Sequence, residues 1–409
     1  MAKAELPDLQ NLLVIGFDNV SLAASAKRAG YQVFAVDPFG DQDLRSICRE
    51  TLSIVDQRPK ISCGHMSSDF NPETLLQLAK ALLKRHQIDA ALLSSGLDDS
   101  SDLLIELNEL VPILGTPPHI IERVRDKAEF FHELDRLGVS HPDTAVVKDV
   151  EEAREESKDM GYPIVVKPLR GFGGAGVRRV ENPQELKKAF IEASHLDKRI
   201  LVQGYISGRH ASASLVCSIN GAVTLTLNEQ LIGIRELGQR EPFGYCGNIV
   251  PLSASRQVAD KCTSVVERVA QHFGLFGSNG VDFVISEEGM PYVIEVNPRF
   301  QGTLKCVERV LGMNLVEAHV EACAKASLPT ISNKPSFFCG RFIVFAPRRL
   351  IASELNIFEG VSDIPLPGVI IEKDEPICSL TLEAPSKDRL LRRANEAAEA
   401  ITGSCKTAH

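Results

Sequence analysis

Two short apolar runs near residue 290 constrain the fold of this chain more than any other segment. The runs VDFVI and YVIEVNP alternate apolar and polar residues, and the turn-forming residues Glu288–Pro291 join them. Two strand patterns with a short Gly/Pro-containing connection are typical of a β-hairpin. Glu295 and Asn297 are two residues apart and so share one strand face, and Asp282 can lie opposite them on the partner strand. The sequence therefore predicts a hairpin that gathers three oxygen-bearing side chains.

Two carboxylates and an amide oxygen among Val, Ile and Phe suit Mg²⁺, which prefers hard oxygen ligands. Ionised carboxylates in an apolar setting are costly unless a cation or hydrogen bonds compensate them. The alternative is a two-stranded ribbon whose polar residues face water, and the pattern of one Asp followed by E-x-N does not decide between the two. The adjoining segment PRFQG adds the guanidinium of Arg299, which would suit a phosphate or another oxyanion.

Composition limits the classes of protein to consider. A chain of 409 residues with 44% hydrophobic content should hold two or three domains with substantial cores. The net charge of −9 and the pI near 5.7 argue against a nucleic-acid surface. No apolar segment approaches the roughly 18–20 residues that span a bilayer, and the N-terminus lacks a signal-peptide core. Ten scattered cysteines without a C-x-x-C pair indicate reduced thiols, so we expect a cytoplasmic protein.

The first part of the chain alternates strand and helix patterns. NLLVIGF, YQVFAVD and DAALLSSG are strand-like, whereas SLAASAKRAG and NPETLLQLAKALLKRHQ are helix-like. This alternation predicts a parallel, Rossmann-like layer over residues 1–117. Gly16 does not continue as G-x-G-x-x-G, so Asp37 lacks the context of a ribose-binding acid and a dinucleotide domain is not expected.

Two further boundaries divide the rest of the chain. A loop at Gly115–Pro118 precedes the amphipathic pattern HIIERVRDKAEFFHELDRLG, which predicts one helix ending at Gly138. Strand and helix patterns then continue to about residue 330, where SNKPS links to a third region, 331–409. That region contains the strand-like FCGRFIVFAP and PICSLTLEA and ends in the helical KDRLLRRANEAAEAI, so we expect a small β-rich domain with a terminal helix.

A glycine-rich loop lies within PIVVKPLRGFGGAGVRRV, residues 163–180. Gly171, Gly173 and Gly176 match G-x-G-x-x-G, but a Rossmann site needs a helix after the loop and here the strand-like VRRV follows. A strand–glycine–strand hairpin instead resembles the flap that covers a nucleoside triphosphate in protein kinases. A kinase is excluded because Lys167 precedes the loop and neither H-R-D nor D-F-G is present, and no G-K-[ST] supports a P-loop. A surface hairpin is the alternative, but Lys167 directly before the loop favours a nucleotide.

Taken in order, these segments resemble the ATP-grasp superfamily, over about Pro118 to Leu328. The resemblance rests on RVRDKAEFF, VVKP, the glycine loop, VQGYI, VDF and EVNPR in this order. It implies a central ATP-grasp domain over residues 118–330, with the flap at about 163–210 and the metal hairpin at 280–302, and the first layer looks like the domain that usually precedes it. The fold class expected is thus mixed α/β and α+β.

The resemblance also implies a role for each matching residue. ATP would be bound by Lys127, Lys167, Gly171, Gly173, Gly174, Gly176, Gln203, Gly204, Ile206 and His210. Mg²⁺, or Mn²⁺ as the alternative, would be held by Asp282, Glu295 and Asn297, and catalysis would depend on Arg299 and Lys167. Lys127 depends on its place in this series, because a helix lysine is usually solvated. Gly204 stands where the family usually has Glu, and Arg209-His210 stands where a ribose-binding acid is expected.

The activity implied is ADP-forming ligation, in which a carboxylate is activated as an acyl phosphate and joined to an amine. Small-molecule substrates are expected, with no nucleic acid or membrane partner and with a possible homodimer. The C-terminal GRFIVFAPRR also resembles biotin carboxylases, so a carboxylase using bicarbonate is an alternative, as is a non-catalytic ATP-binding protein. The acceptor could contact the loop that carries Arg235, Arg240, Phe243, Tyr245 and Asn248, or the Ser94–Gly96 segment.

Overall fold

Residues 9–65, 70–171, 173–332 and 335–408 are described by this computed structural model of the chain. The first part alternates strands and helices: β1 (Asn11–Ile15), α1 (Asn19–Arg28), β2 (Gln32–Asp37), α2 (Gln42–Ile47), β3 (Glu50–Ser53), α3 (Pro72–Leu83), β4 (Ala90–Leu93) and α4 (Ser101–Leu110). The strands are all parallel, in the order β3-β2-β1-β4. The predicted Rossmann-like layer is therefore confirmed.

The middle of the chain forms a small sheet and most of a large one. Its elements are α5 (Pro118–Arg125), α6 (Lys127–Leu137), β5 (Thr144–Val147), α7 (Val150–Met160), β6 (Ile164–Pro168), β7 (Arg178–Val180), α8 (Pro183–Ser194), β8 (Ile200–Gly204), β9 (Gly208–Ser218), β10 (Gly221–Ile232), β11 (Tyr245–Val250), α9 (Arg256–Phe273), β12 (Gly277–Ser286), β13 (Pro291–Asn297), α10 (Leu304–Leu311) and α11 (Leu315–Lys325). The small antiparallel sheet has the order β5-β8-β6-β7 and carries the glycine loop between its last two strands.

The C-terminal part continues the large sheet. Its elements are β14 (Phe338–Phe345), β15 (Leu350–Ile351), β16 (Val361–Ser362), β17 (Ile370–Ile371), β18 (Pro376–Ala384), α12 (Lys387–Ser404) and β19 (Lys406–Thr407). β14 pairs antiparallel with β11, which gives the order β13-β12-β9-β10-β11-β14-β18-β16, and a small sheet β17-β15-β19 lies apart. The predicted β-rich region with a terminal helix is thus present, and it shares its sheet with the centre. No helix in the described ranges is long and apolar enough to cross a membrane.

Buried aromatic side chains hold the large sheet against the helices behind it. Phe130 of α6, Phe273 of α9 and Phe283 of β12 belong to one buried cluster, and the first two rings stack with centroids 5.4 Å apart. Fully burying one such side chain stabilises a fold by about 1.5–3 kcal/mol. Because α6 and β12 pack in the same core, the polar residues that these two elements carry are held in a fixed position relative to each other.

Both predicted hairpins are present. Asp282 of β12 stands directly opposite Glu295 of β13, as the alternating pattern predicts. β6 and β7 pair antiparallel on either side of the glycine loop, with Ile164 opposite Val180. Because a strand follows this loop, the arrangement is not that of a Rossmann dinucleotide site.

The single helix predicted to run to Gly138 is wrong, since the structure has two helices that meet at Asp126. The Asp126 backbone is extended (φ −69°, ψ 104°), and its side chain accepts 3.0 Å hydrogen bonds from the N–H groups of Ala128 and Glu129. This N-cap competes with a continuous helix. The apolar period passes through the break unchanged, so the pattern could not reveal it. The end at Gly138 is as predicted, in a left-handed C-cap (φ 60°).

Candidate nucleotide and metal site

One large cleft, of about 1350 Å³, opens between the three parts of the chain. The small sheet with its glycine loop forms one wall, the large sheet forms the floor, and the carboxyl ends of β1, β2 and β4 close the far side. Every residue proposed to bind ATP or Mg²⁺ or to act in catalysis lines this cleft: Lys127, Lys167, Gly171, Gly173, Gly174, Gly176, Gln203, Gly204, Ile206, His210, Asp282, Glu295, Asn297 and Arg299. The cleft therefore brings together side chains that are as far apart in the sequence as Lys127 and Arg299.

Lys127, the first residue of α6, is buried rather than solvated. Its side chain is 4% exposed, and Nζ lies 3.1 Å from Oε2 of Glu295. Burial lowers the pKa of Lys127, and the Glu295 carboxylate opposes that shift. Arg125 approaches the same carboxylate oxygen at 3.6 Å. The helix break at Asp126 thus presents two cations to one carboxylate.

Lys167, in β6, supplies a third positive charge near Glu295. Burial lowers its pKa to about 8, and the nearby Lys127 adds to the effect. Within the described ranges no carboxylate lies within ion-pair distance of Lys167, whereas Lys127 and Arg125 are both paired. An unpaired, partly buried ammonium beside a glycine loop suits a polyanionic ligand, since an anion would stabilise its charged form.

The two carboxylates of the hairpin, Asp282 and Glu295, lie in different electrostatic surroundings. Asp282 Oδ2 accepts a 3.0 Å hydrogen bond from Asn297 Nδ2, but its buried Oδ1 has no hydrogen-bond partner among the described residues. Burial raises the pKa of Asp282 to about 7, and Glu295 adds to the rise while Arg299 opposes it. Burial would also raise the pKa of Glu295, but Lys127, Arg125 and Lys167 outweigh it and hold that pKa below its ordinary value.

This donor set fits a magnesium ion. An orphaned carboxylate oxygen is what a cation would satisfy, and Glu295 across the hairpin and Asn297 supply further oxygens. In the ranges that the structure describes, no three His, Cys, Asp or Glu side chains are grouped to hold a metal by themselves. Mg²⁺ usually keeps several waters and binds through one or two carboxylates together with substrate phosphates. The remaining ligands would thus come from a nucleotide and water.

Arg299 is held from the first domain. Its Nε lies 2.6 Å from Asp98 Oδ2, and its Nη2 donates a 3.1 Å hydrogen bond to Asn297 Oδ1. Asp99 pairs with Arg125 Nε at 2.7 Å. Sequence reasoning missed Asp98, Asp99 and Arg125, although a signal existed: two acids just after a parallel strand lie where α/β sheets bind their ligands. In the neighbouring segment, Ser95 and Gly96 line the cleft, whereas buried Ser94 donates to Asn19.

The residues proposed for adenine lie at the other end of the cleft. Gln203 is 3% exposed, and its Nε2 donates a 2.8 Å hydrogen bond to Thr144 Oγ1. The N–H of Gly204 donates to the Asp143 carbonyl at 2.9 Å, so this donor is already used. Burial lowers the pKa of half-buried His210, so at neutral pH its ring would be an uncharged hydrogen-bonding group.

The glycine loop rests on the loop before β11. The N–H of Tyr245 donates a 3.0 Å hydrogen bond to the Gly173 carbonyl, and Arg178 at the end of the loop pairs with Glu241. A Cβ built on Gly174 would overlap the Phe243 carbonyl oxygen, so glycine is needed for this contact. Of the loop residues expected near the acceptor, Arg240, Phe243, Tyr245 and Asn248 line the cleft and Arg235 does not.

Arg341 of β14 marks a further end of the cleft that sequence reasoning missed. Its Nη2 lies 2.7 Å from Asp18 Oδ1 and 3.2 Å from Asp363 Oδ2, and its side chain is 8% exposed. Asp18 also raises the pKa of Arg299, so this carboxylate interacts electrostatically with both guanidinium groups. An arginine in the apolar run FCGRFIVF was the available signal, since a buried charge needs partners.

Comparison with known proteins finds similarity to a family over the middle of the chain. Residues 124–303 match the family described as an ATP-grasp domain. An uncharacterized protein of Methanocaldococcus jannaschii is 24% identical over 95% of this chain and 92% of its own length. The C-terminal section of the Methanopyrus kandleri carbamoyl phosphate synthase large chain is 28% identical over 68% of this chain, and the Vibrio cholerae large chain is 27% identical over 67%. The chain spans 52% and 26% of those two synthase chains.

Solved structures share the fold at low sequence identity. The biotin carboxylase domain of Hydrogenobacter thermophilus 2-oxoglutarate carboxylase, a dimer with MgADP, ADP and bicarbonate, has a TM-score of 0.75, 21% identity and coverage of 95% of this chain and 89% of its own. An L-amino acid ligase from Bacillus licheniformis has a TM-score of 0.70, 15% identity and 98% coverage of both chains. Residues 124–303 therefore match an ATP-grasp domain, and the fold of the chain is similar to those of a biotin carboxylase domain and an amino acid ligase.

Proposed function

We propose that this protein is an ATP- and Mg²⁺-dependent ligase that activates a carboxylate as an acyl phosphate and joins it to an amine. The proposal rests on the difference in electrostatic surroundings between the two facing carboxylates of the hairpin. Three cations surround Glu295, while Asp282 opposite keeps a buried oxygen without a partner in the described ranges. The three cations leave positive charge that a polyphosphate would compensate, and the Asp282 oxygen leaves negative charge that a metal ion would compensate. The site therefore suits a metal ion and a polyphosphate bound together.

The nucleotide would lie along the cleft from the small sheet to the hairpin. Lys127 and Lys167 would contact its phosphates, and Gln203, Gly204, Ile206 and His210 would surround the adenosine. The backbone of the glycine loop, from Gly171 through Gly173 and Gly174 to Gly176, would cover the triphosphate. Asp282, Glu295 and Asn297 would hold Mg²⁺, which would supply positive charge at the phosphate oxygens as they react. Mn²⁺ has the same preference for oxygen ligands.

The first step brings two anions together. A carboxylate oxygen of the substrate attacks the γ-phosphorus, the bond to the β–γ bridging oxygen breaks, and ADP leaves with that electron pair. Arg299 would hold the entering carboxylate and then the acyl phosphate, and Asp98 fixes the direction of its guanidinium. Removing one such preorganised donor costs about 3–4 kcal/mol of barrier, by analogy with oxyanion-hole groups.

In the second step the amine nitrogen attacks the acyl carbon. The C–N bond forms, the carbon–oxygen bond to phosphate breaks, and inorganic phosphate leaves while the nitrogen loses a proton. Water would compete for the same acyl phosphate. Closure of the glycine loop over the site, in the contact that Gly173 makes with Tyr245, would exclude it.

A second candidate is a carboxylase in which bicarbonate replaces the organic carboxylate. It is favoured by the similarity in fold, over 95% of this chain, to a biotin carboxylase domain whose structure contains MgADP and bicarbonate. That neighbour is a dimer, so light scattering of the purified protein should test the proposed homodimer as well.

The deciding experiment measures ADP release by the full chain with ATP, Mg²⁺ and pools of carboxylic acids and amines. We expect turnover that needs an amine, whereas turnover that needs bicarbonate would favour the carboxylase. Glu295→Gln should abolish turnover, and Glu287→Gln, which alters an exposed acid in the turn of the same hairpin, should not. Full activity of Glu295→Gln would contradict the metal assignment, and absence of MgADP binding in the unaltered protein would contradict both candidates.

A further inference from the structure

The cleft is larger than one ligand requires. Its volume of about 1350 Å³ exceeds the roughly 300–1000 Å³ of typical small-molecule sites. Beyond Arg299 it continues into a region that we call the acidic arm, lined by Phe17, Asp18, Phe39, Asp41, Phe70 and Asp363. The first four follow β1 and β2 at their carboxyl ends, where open α/β sheets bind ligands.

Negative charge in the acidic arm exceeds positive charge. Asp18, Asp41 and Asp363 contribute three carboxylates, and in the described part of the chain Arg341 is the one cation within 4 Å of any of them. Asp41 is 8% exposed, and its Oδ1 accepts a 3.0 Å hydrogen bond from Gln57 Nε2. Burial, with Asp37 and Asp363 nearby, raises the pKa of Asp41 well above its ordinary value. A bound cation would reverse that shift.

Asp41 differs from its neighbour Asp37, which is also buried. The Asp37 carboxylate accepts hydrogen bonds from the backbone N–H groups of Phe39 and Gly40 at 2.8 and 2.7 Å, so it has a structural role in the turn after β2. No backbone group serves Asp41 in this way among the described residues. Its carboxylate lies in the wall of the cleft instead.

Arg341 gives an independent sign of a ligand at the same place. The side chain is 8% exposed, its Nη2 serves Asp18 and Asp363, and its buried Nη1 has no hydrogen-bond partner among the described residues. An unused buried guanidinium donor is costly. An oxygen of a ligand in the arm, such as the carbonyl of the activated acyl group, would satisfy it.

Three aromatic rings also line the arm. The ring centroids of Phe17 and Phe70 are 4.6 Å apart, and those of Phe17 and Phe39 are 6.3 Å apart. All three rings are half-buried and line the cleft. A site that is lined by both carboxylates and aromatic rings suits a molecule with a polar end and an apolar body.

We propose that the acidic arm binds the amine substrate as its ammonium ion, between Asp18, Asp41 and Asp363, with an apolar group of that substrate against Phe17, Phe39 and Phe70. One of these carboxylates would take up a proton from the ammonium ion before the neutral nitrogen attacks. This inference rests on the proposed ligase function and names the class of its nucleophile: a primary amine that carries an aromatic or aliphatic body. Asp18 of the arm and Arg299 line the same cleft and interact electrostatically, so an amine in the arm would be close to the site proposed for the acyl phosphate.

The test is calorimetric titration of the full chain with two probes of equal size, phenethylamine and 2-phenylethanol, which differ in charge. We expect phenethylamine to bind at least about tenfold tighter, equivalent to ~1.4 kcal/mol, than either 2-phenylethanol or methylamine, which lacks the ring. Equal affinity for 2-phenylethanol, or no binding of phenethylamine at millimolar concentration, would overturn the proposal. These outcomes need no variant, so they do not depend on whether a substitution folds.

Variants then locate the site. Asp41→Asn should weaken phenethylamine about tenfold and leave MgADP affinity within about twofold, whereas Asp56→Asn, an exposed acid of the same domain, should change neither. Phe17→Ala should remove the preference for phenethylamine over methylamine. Unchanged phenethylamine affinity in Asp41→Asn would overturn the assignment. Amine binding is measured without nucleotide. A failure of MgADP to bind would therefore count against the ligase function but would not affect the evidence for amine binding in the arm.

Discussion

Lys127 Nζ lies 3.1 Å from Glu295 Oε2, and this contact joins the start of α6 to the metal hairpin. Under the proposed function, replacing Lys127 with Ala would remove a hydrogen-bond donor to the ATP phosphates, and it removes part of the positive charge that keeps Glu295 ionised. We expect kcat/KM for ATP to fall by about 10²–10³, the range for one preorganised donor. ADP release under steady-state conditions measures this, and Lys148→Ala, at an exposed site, is the control. A loss below threefold would show that Lys127 serves packing alone.

The pKa of Lys167, about 8, predicts a pH dependence of nucleotide binding. The ammonium form attracts phosphate, and a bound anion raises the pKa, so binding takes up a proton between the two values. MgADP affinity should therefore be greatest below pH ~8 and fall as the pH rises through that value. Lys167→Arg keeps its charge and should flatten the profile between about pH 7 and 9. Calorimetry measures both, and a parallel fall in the two proteins would assign the titration to another group.

The glycine loop should tolerate a side chain at one glycine and not at its neighbour. Gly173 and Gly174 both have positive φ (66° and 81°), so each substitution carries a similar backbone cost of about 1–2 kcal/mol. A Cβ on Gly173 meets nothing within 4 Å, whereas one on Gly174 overlaps the Phe243 carbonyl. Gly174→Ala should therefore reduce kcat/KM about tenfold more than Gly173→Ala and leave the loop open to protease when MgADP is bound. Equal behaviour of the two variants would show that the loop does not close on Phe243.

Alternation and order along the chain predicted much of this molecule. Asp282 and Glu295 could be placed opposite each other because a strand has a period of two, and the strand after Gly176 follows from VRRV. What the sequence did not show is which residues of separate domains meet. Asp98 reaches Arg299 across 201 positions, and Asp18 reaches Arg341 across more than 300. Such pairs depend on how distant parts of the chain pack together, and the local alternation of apolar and polar residues carries no information about them.

A variant at the N-cap Asp126 can distinguish a loss of folding stability from a loss of the position of Lys127. Asp126→Ala removes two hydrogen bonds at the start of α6, and loss of an N-cap typically costs about 0.5–2 kcal/mol. Asp149 caps α7 in the same way through Glu152 N–H at 2.9 Å, but it does not line the cleft, so Asp149→Ala is a matched control. Denaturant unfolding should show similar losses of stability for both. MgADP affinity should fall only in Asp126→Ala, because that cap alone fixes Lys127 against Glu295. Equal MgADP affinity in the two variants would mean that the helix break has no part in placing Lys127.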